Sequence, residues 1–172
     1  MKIIYISALL LLAFIPGTAN SQYVWEKMAY YHSTGTAPKD IAGSYQIELN
    51  ESGGGKLEYT KYGKTNIYEF EAGRKSLKEL NRIILSGGVL DADTNELRGS
   101  KEFTGLPVYV ITMFLDKPEG YKKRKHPVII IQSDVSDKYR ESAFNIYEKL
   151  EAIVPKSVWE QAFADAEKNS GR

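Results

Sequence analysis

SLKELNRIILSGG, residues 76–88, has the strongest periodicity in the chain. Its apolar side chains recur at the 3.6-residue spacing of a single helical face: Leu77, Leu80, Ile83 and Ile84. Ser76 and Glu79 have the spacing of a capping box, in which each side chain accepts a backbone N–H at the start of the helix. An apolar stripe of this kind must be buried, so the helix predicts another layer of structure beside it.

That layer is predicted by the segments before the helix, in which apolar and polar residues alternate. SYQIEL (44–49), KLEYTKY (56–62) and NIYEFEA (66–72) each have the period of two that is typical of a half-buried strand. Asn and Gly residues at 50–55, and Gly63 with Lys64, supply short turns between them. The three segments therefore predict an antiparallel meander whose apolar face covers the helix.

The segments after the helix predict a hairpin and two more helices. PVYVITMFL (107–115) is continuously apolar, so we place it inside the sheet, and HPVIIIQ (126–132) pairs with it. A helix that starts near Ser133 or Ser136 has one apolar stripe: Tyr139, Ala143, Ile146, Tyr147, Leu150 and Ile153. After Pro155, a short helix directs four side chains inward: Val158, Trp159, Ala162 and Phe163.

Together these elements predict the α+β class, with an antiparallel sheet of about five strands and helices packed on one face. The predicted order is β-β-β-α-β-β-α-α, in a single globular domain over 22–172. YVWEKMAYY (23–31) fits either a short strand or a helical turn, and HSTGTAPKD (32–40) is a connector. Residues 91–105 have the composition of a polar loop.

Residues 1–21 have the composition of a cleaved signal peptide. Lys2 precedes an apolar run of 13 residues, 3–15, and small residues at 19 and 21 suit signal peptidase. The run is shorter than the ~20 residues that a membrane-crossing helix needs. We therefore expect an exported protein, periplasmic or secreted and of bacterial origin, with no transmembrane span after cleavage.

Composition excludes several classes of function. The formal net charge is +1, and loss of Lys2 with the leader makes it zero, which argues against nucleic acid as a partner. The chain has no cysteine, so it has no disulfide, thiol nucleophile or thiolate-bound metal. His32 and His126 are the only histidines, and no hydrolase or zinc-protease motif is present.

The order of elements resembles a group of exported bacterial α+β domains of unknown function. The resemblance rests on the meander, a helix that begins S-x-x-E-L, a loop containing GG-V-L-D, the apolar hairpin and a C-terminal helix. It covers about 43–154 and implies a fold, but no activity.

One stretch has the oxygen-ligand spacing of a calcium loop: Asp91, Asp93, Asn95 and Glu102. Glu96 stands where such loops need glycine, and Arg98 stands where they have an apolar residue. A solvated connector is the alternative interpretation. We expect no cofactor, with calcium as the single candidate.

A second candidate is the basic tip of the predicted hairpin, formed by Tyr121, Lys122, Lys123, Arg124 and Lys125. Such a cluster could make a weak, salt-sensitive contact with an anionic surface. The preferred interpretation is that it protects the apolar strand that follows from edge-to-edge aggregation. Tyr59 and Tyr62 are candidate contact residues on the sheet, because tyrosine offers a large contact area with a polar tip.

These observations favour a non-catalytic binding module for a protein or glycan of the cell envelope. The alternatives are a hydrolase of envelope polymers that uses carboxylates, and a proteinaceous enzyme inhibitor. A concave pocket lined by converging carboxylates would favour the enzyme, whereas a flat aromatic sheet face would favour binding.

Overall fold

A computed structural model describes residues 23–38, 41–99, 107–115 and 127–170. Six strands lie within these ranges: β1 Lys27–Ser33, β2 Gly43–Asn50, β3 Gly54–Lys61, β4 Lys64–Glu71, β5 Val108–Phe114 and β6 Val128–Gln132. The helices are α1 Arg74–Ser86, α2 Thr94–Leu97, α3 Arg140–Ile153 and α4 Lys156–Asn169, with a 3-10 turn over Asp137–Tyr139.

The strands form one antiparallel sheet in the order β4-β3-β2-β1-β5-β6. This confirms the predicted α+β class, the meander and the β5–β6 hairpin. The sheet has six strands instead of about five, because the ambiguous N-terminal segment forms β1. That strand lies in the middle of the sheet, where it joins the meander to the hairpin.

The core lies between one face of the sheet and the layer of α1, α3 and α4. Alternate residues of each strand point into it, as Met28 and Tyr30 do from β1 and Ile111 and Met113 from β5. The opposite face carries Lys27, Glu48 and other side chains that stay partly or fully exposed. Helices on a single face are therefore confirmed.

Helix α1 packs its predicted stripe into this core, with Leu77, Leu80 and Ile84 at most 1% exposed. Its predicted capping box is wrong. The helix starts at Arg74, after Gly73 in extended conformation and without a side-chain cap. Glu79 therefore lies inside the helix, where it forms an ion pair with Lys149 of α3.

The two C-terminal helices follow their predicted stripes with one exception. All six predicted stripe residues from Tyr139 to Ile153 are buried. In α4, Ala162 is buried and Trp159 is half-buried, but Phe163 is 49% exposed. The polar loop predicted over 91–105 contains the single-turn helix α2.

The longest helices in the described part of the chain have 14 residues. None of the described helices combines the length and the apolar composition needed to cross a membrane. The predicted leader, residues 1–21, lies outside the described ranges.

Candidate functional site

A cavity of about 350 Å³ opens where one end of the β1–β3 surface meets α3 and α4. It is lined by His32, Thr34, Ile41, Gly43, Ser44, Tyr45, Tyr59, Glu151, Trp159 and Phe163. We call it the aromatic pocket, because five of these ten residues carry rings. It is a concave site of the size that binds small molecules or single groups of larger ones.

The strand register explains why ring residues gather here. His32 of β1 lies directly opposite Tyr45 of β2, and Tyr45 lies opposite Tyr59 of β3. Residues opposite each other point to the same side of a sheet, so the three side chains form a row across it. Trp159 and Phe163, one helical turn apart on α4, close the pocket from above.

A carboxylate lies at the base of the pocket. The hydroxyls of Tyr30 and Tyr45 both donate to Oε1 of Glu151, at 2.7 and 2.5 Å. Among the described residues no group donates to Oε2 and no cation pairs with this side chain. Glu151 thus has one oxygen held by the protein and one left for a ligand.

The rings around the carboxylate contact one another in a fixed arrangement. Tyr45 and Trp159 meet edge to face with centroids 5.0 Å apart, and Tyr59 meets Phe163 in the same way at 5.5 Å. The Trp159 indole also donates to the backbone oxygen of Glu151, at 3.3 Å. These contacts hold the walls in place before any ligand arrives, which lowers the entropic cost of binding.

Burial favours the neutral forms of three ring residues at the pocket, His32, Tyr30 and Tyr45. Burial lowers the pKa of His32, against the opposing attraction of Glu151, so the imidazole is neutral at pH 7. Burial and the hydrogen bond to Glu151 raise the pKa of Tyr30 and of Tyr45 far above the usual range. The tyrosines therefore act as hydrogen-bond donors, and neither can serve as a base.

The structure distributes the predicted contact residues unevenly. Tyr59 lines the aromatic pocket, whereas Tyr62 lies outside it, in the turn between β3 and β4. The basic cluster, Tyr121, Lys122, Lys123, Arg124 and Lys125, falls outside the described residues. Its contact with anionic surfaces stays a prediction.

Three of the predicted calcium ligands, Asp91, Asp93 and Asn95, lie in the described part of the chain. Asp93 caps α2, and its Oδ1 accepts the backbone N–H of Asn95 at 2.9 Å. Glu102 lies outside the described residues, and those that are described contain no group of three side chains suited to a metal ion. The calcium loop therefore stays a prediction.

Sequence reasoning missed His32 and Glu151 as site residues. Glu151 lies four residues after Tyr147 at the edge of the α3 stripe, and there its pattern is that of an ordinary solvated helix position. The sequence pattern predicts Trp159 and Phe163 only as inward-facing positions of the last helix. The signal that would have found them is the meeting of five elements, β1, β2, β3, α3 and α4, which no single segment of the sequence contains.

A second groove, of about 410 Å³, lies where the opposite ends of β2, β3 and β4 meet and includes Glu48, Glu69 and Glu71. Lys27 pairs with Glu48 at 2.9 Å, and Lys56 lies 2.8 Å from Glu58. The hydrogen bond from Lys27 lowers the pKa of Glu48, which keeps this carboxylate ionised.

Comparison with known proteins adds no relative. No family model matches the chain, and no curated protein matches it. The resemblance to exported domains of unknown function thus stays a prediction. A function for this chain must therefore be inferred from the geometry of the aromatic pocket and of the second groove.

Proposed function

We propose that this chain is a non-catalytic binding module and that the aromatic pocket is its ligand site. The observation that carries the proposal is the convergence of five ring side chains around one carboxylate with a free oxygen. Aromatic walls with a few fixed polar groups are typical of sites that bind a ligand without transforming it. The ligand would insert one compact group, from a protein or glycan of the cell envelope.

The same geometry weighs against hydrolysis in this pocket. Glycoside hydrolysis needs two carboxyl groups on opposite sides of the bond that breaks, and the described lining contains only Glu151. His32 could accept a proton, but the lining offers no hydroxyl or thiol nucleophile paired with it at hydrogen-bond distance. Binding requires none of these groups.

The hydrolase alternative has its best support in the second groove, where three glutamates gather. A general acid must hold its proton near neutral pH, and the lysine-paired Glu48 does not. The ion pairs of the groove are those of a solvated sheet face. We therefore rank this function below binding, and the inhibitor alternative has no described loop to support it.

The predicted leader would bring the pocket to molecules outside the cytoplasm. Export would expose the pocket to molecules of the cell envelope, so we propose an envelope ligand. Because the chain has zero net charge after cleavage, short-range contacts would determine the affinity for that ligand. The proposed module would thus recognise a small group displayed on an envelope polymer or protein.

A test uses amide and indole NMR spectra of the purified chain during titration with three classes of probe: neutral saccharides, ammonium compounds and aromatic amides. We expect at least one class to shift the Trp159 indole N–H together with the backbone of β1–β3 near His32 and Tyr45. Trp159→Ala should abolish the shifts. Phe114→Ala, which removes an exposed ring from the opposite face, should leave them intact.

Shifts confined to the second groove, or release of cleaved product from an envelope polysaccharide, would contradict the proposal. The first outcome would move the site to Glu48, Glu69 and Glu71. The second would establish the hydrolase.

A further inference from the structure

We infer that the group bound by the aromatic pocket is a compact organic cation, an ammonium centre with carbon substituents. The inference rests on the proposed binding role and adds the chemical class of the ligand. Three features support it: the charge of the pocket, the dipole of helix α3 and the aromatic rings of the pocket walls.

Glu151 supplies the only carboxyl group of the described lining, which includes no lysine or arginine. Burial lowers the pKa of His32, so the lining supplies no cation at pH 7. The lysines of α4 are engaged on their own helix, Lys156 with Glu160 at 3.1 Å and Lys168 with Asp165 at 2.9 Å. A partly buried anion without a cation is costly, and a cationic ligand would supply the missing charge.

The position of Glu151 on its helix strengthens this negative potential. It lies in the last turn of α3, where backbone carbonyls without a helical partner carry partial negative charge, and its own carbonyl accepts the Trp159 indole N–H. That turn contains no basic side chain. A cation next to Oε2 would be attracted by both the carboxylate and the helix terminus.

The walls suit a cation better than a sugar. Tyrosine, tryptophan and phenylalanine rings attract an ammonium group over their faces through the negative potential of the ring. A sugar needs several free hydrogen-bonding groups, but here the Tyr45 hydroxyl is used by Glu151 and the Thr34 hydroxyl is used by the backbone of Gly43.

The test compares choline with 3,3-dimethylbutan-1-ol, in which carbon replaces the ammonium nitrogen and the shape is kept. Affinities for the purified chain are measured by calorimetry and by the Trp159 indole signal. We expect choline to bind at least ten-fold more tightly than its neutral analogue. Equal affinities would overturn the inference.

Glu151→Gln tests the carboxylate, since glutamine can still accept the two tyrosine hydroxyls without carrying charge. We expect it to weaken choline binding at least ten-fold and to leave the neutral analogue unchanged. Glu148→Gln removes an exposed acid from the same helix and should have no effect. If Glu151→Gln fails to fold, the salt dependence in the parent chain checks the inference: the affinity for choline should fall as salt is raised, whereas the affinity for the neutral analogue should not.

Failure of this inference is distinguishable from failure of the proposed function. If a neutral saccharide shifts the Trp159 signal and choline does not, the pocket binds but the cation is wrong. If choline, its analogue, the saccharides and the aromatic amides all leave Trp159 unshifted, both the inference and the proposed site are wrong.

Discussion

His32 shows how one side chain couples the pocket to folding. Burial among the rings of Tyr45 and Tyr109 lowers its pKa below the ordinary 6.5, and Glu151 opposes that shift. Just below pH 6.5 the unfolded chain therefore binds more protons at this residue than the native chain does. We expect the free energy of unfolding to decrease as the pH falls through this interval, as measured by urea denaturation at a series of pH values.

The substitution that tests this prediction removes the imidazole. His32→Gln should flatten the pH dependence between pH 6.5 and the region where carboxylates begin to titrate. An equally steep dependence in His32→Gln would assign the effect to other groups.

At the scale of elements, the turn between β3 and β4 contains a strained residue. Lys61 pairs with Lys64, which leaves a two-residue loop in which Tyr62 has φ 53° and Gly63 has φ 76°. Both values are positive, as a type I′ hairpin turn requires, and asparagine tolerates the first position far better than tyrosine does. We expect Tyr62→Asn to raise the free energy of unfolding by about 0.5–1 kcal/mol.

Urea denaturation measures this change, and Tyr62→Ala separates its two contributions. Alanine loses the ring, including its contact with the Lys61 ammonium at 5.3 Å, without gaining asparagine's tolerance of positive φ. It should therefore be no more stable than the parent chain. A loss of stability in Tyr62→Asn would show that the ring contacts outweigh the backbone strain.

Elements whose apolar residues recur at a regular spacing were predictable from the sequence, and elements without such a spacing were not. Strands β2 to β4 alternate strictly, so their residues determined both the strands and the side that faces the core. In β1 the stretch KMAYYHS has apolar and polar residues on both faces of the strand. The strand is paired along both edges, and its outer face is only partly exposed, so its sequence does not alternate clearly. The capping box failed for a local reason: Arg74 and Lys75 extend the helix backward to Gly73, past the serine that was expected to cap it.

At the scale of the molecule, the layer order was predictable but the pocket was not. Amphipathic stripes require helices over a sheet, whatever the strand order. The pocket depends on the β1–β2–β3 register and on where α4 crosses it, and both are set by tertiary packing. Glu151 and Trp159 are eight residues apart in sequence yet belong to different helices, so their proximity appears only in the folded chain.

At this scale we also expect the sheet and its helices to unfold as one cooperative unit. Leu80 and Leu85 both lie on α1, but Leu80 is fully buried and Leu85 is 51% exposed. Leu80→Ala should lower the free energy of unfolding by about 2–5 kcal/mol, because it removes apolar contacts and leaves a cavity. Leu85→Ala should change it by less than about 0.5 kcal/mol.

Two probes of the same urea titration test the cooperativity. Far-UV circular dichroism follows all helices, and tryptophan fluorescence follows Trp159 on α4 together with the buried Trp25. Because α1 and α3 share one continuous core with the sheet, and α4 adds Ala162 to it, the two transitions should coincide and move together in Leu80→Ala. A fluorescence transition that stays in place while the dichroism transition shifts would mean that α4 and the pocket wall unfold independently of the core.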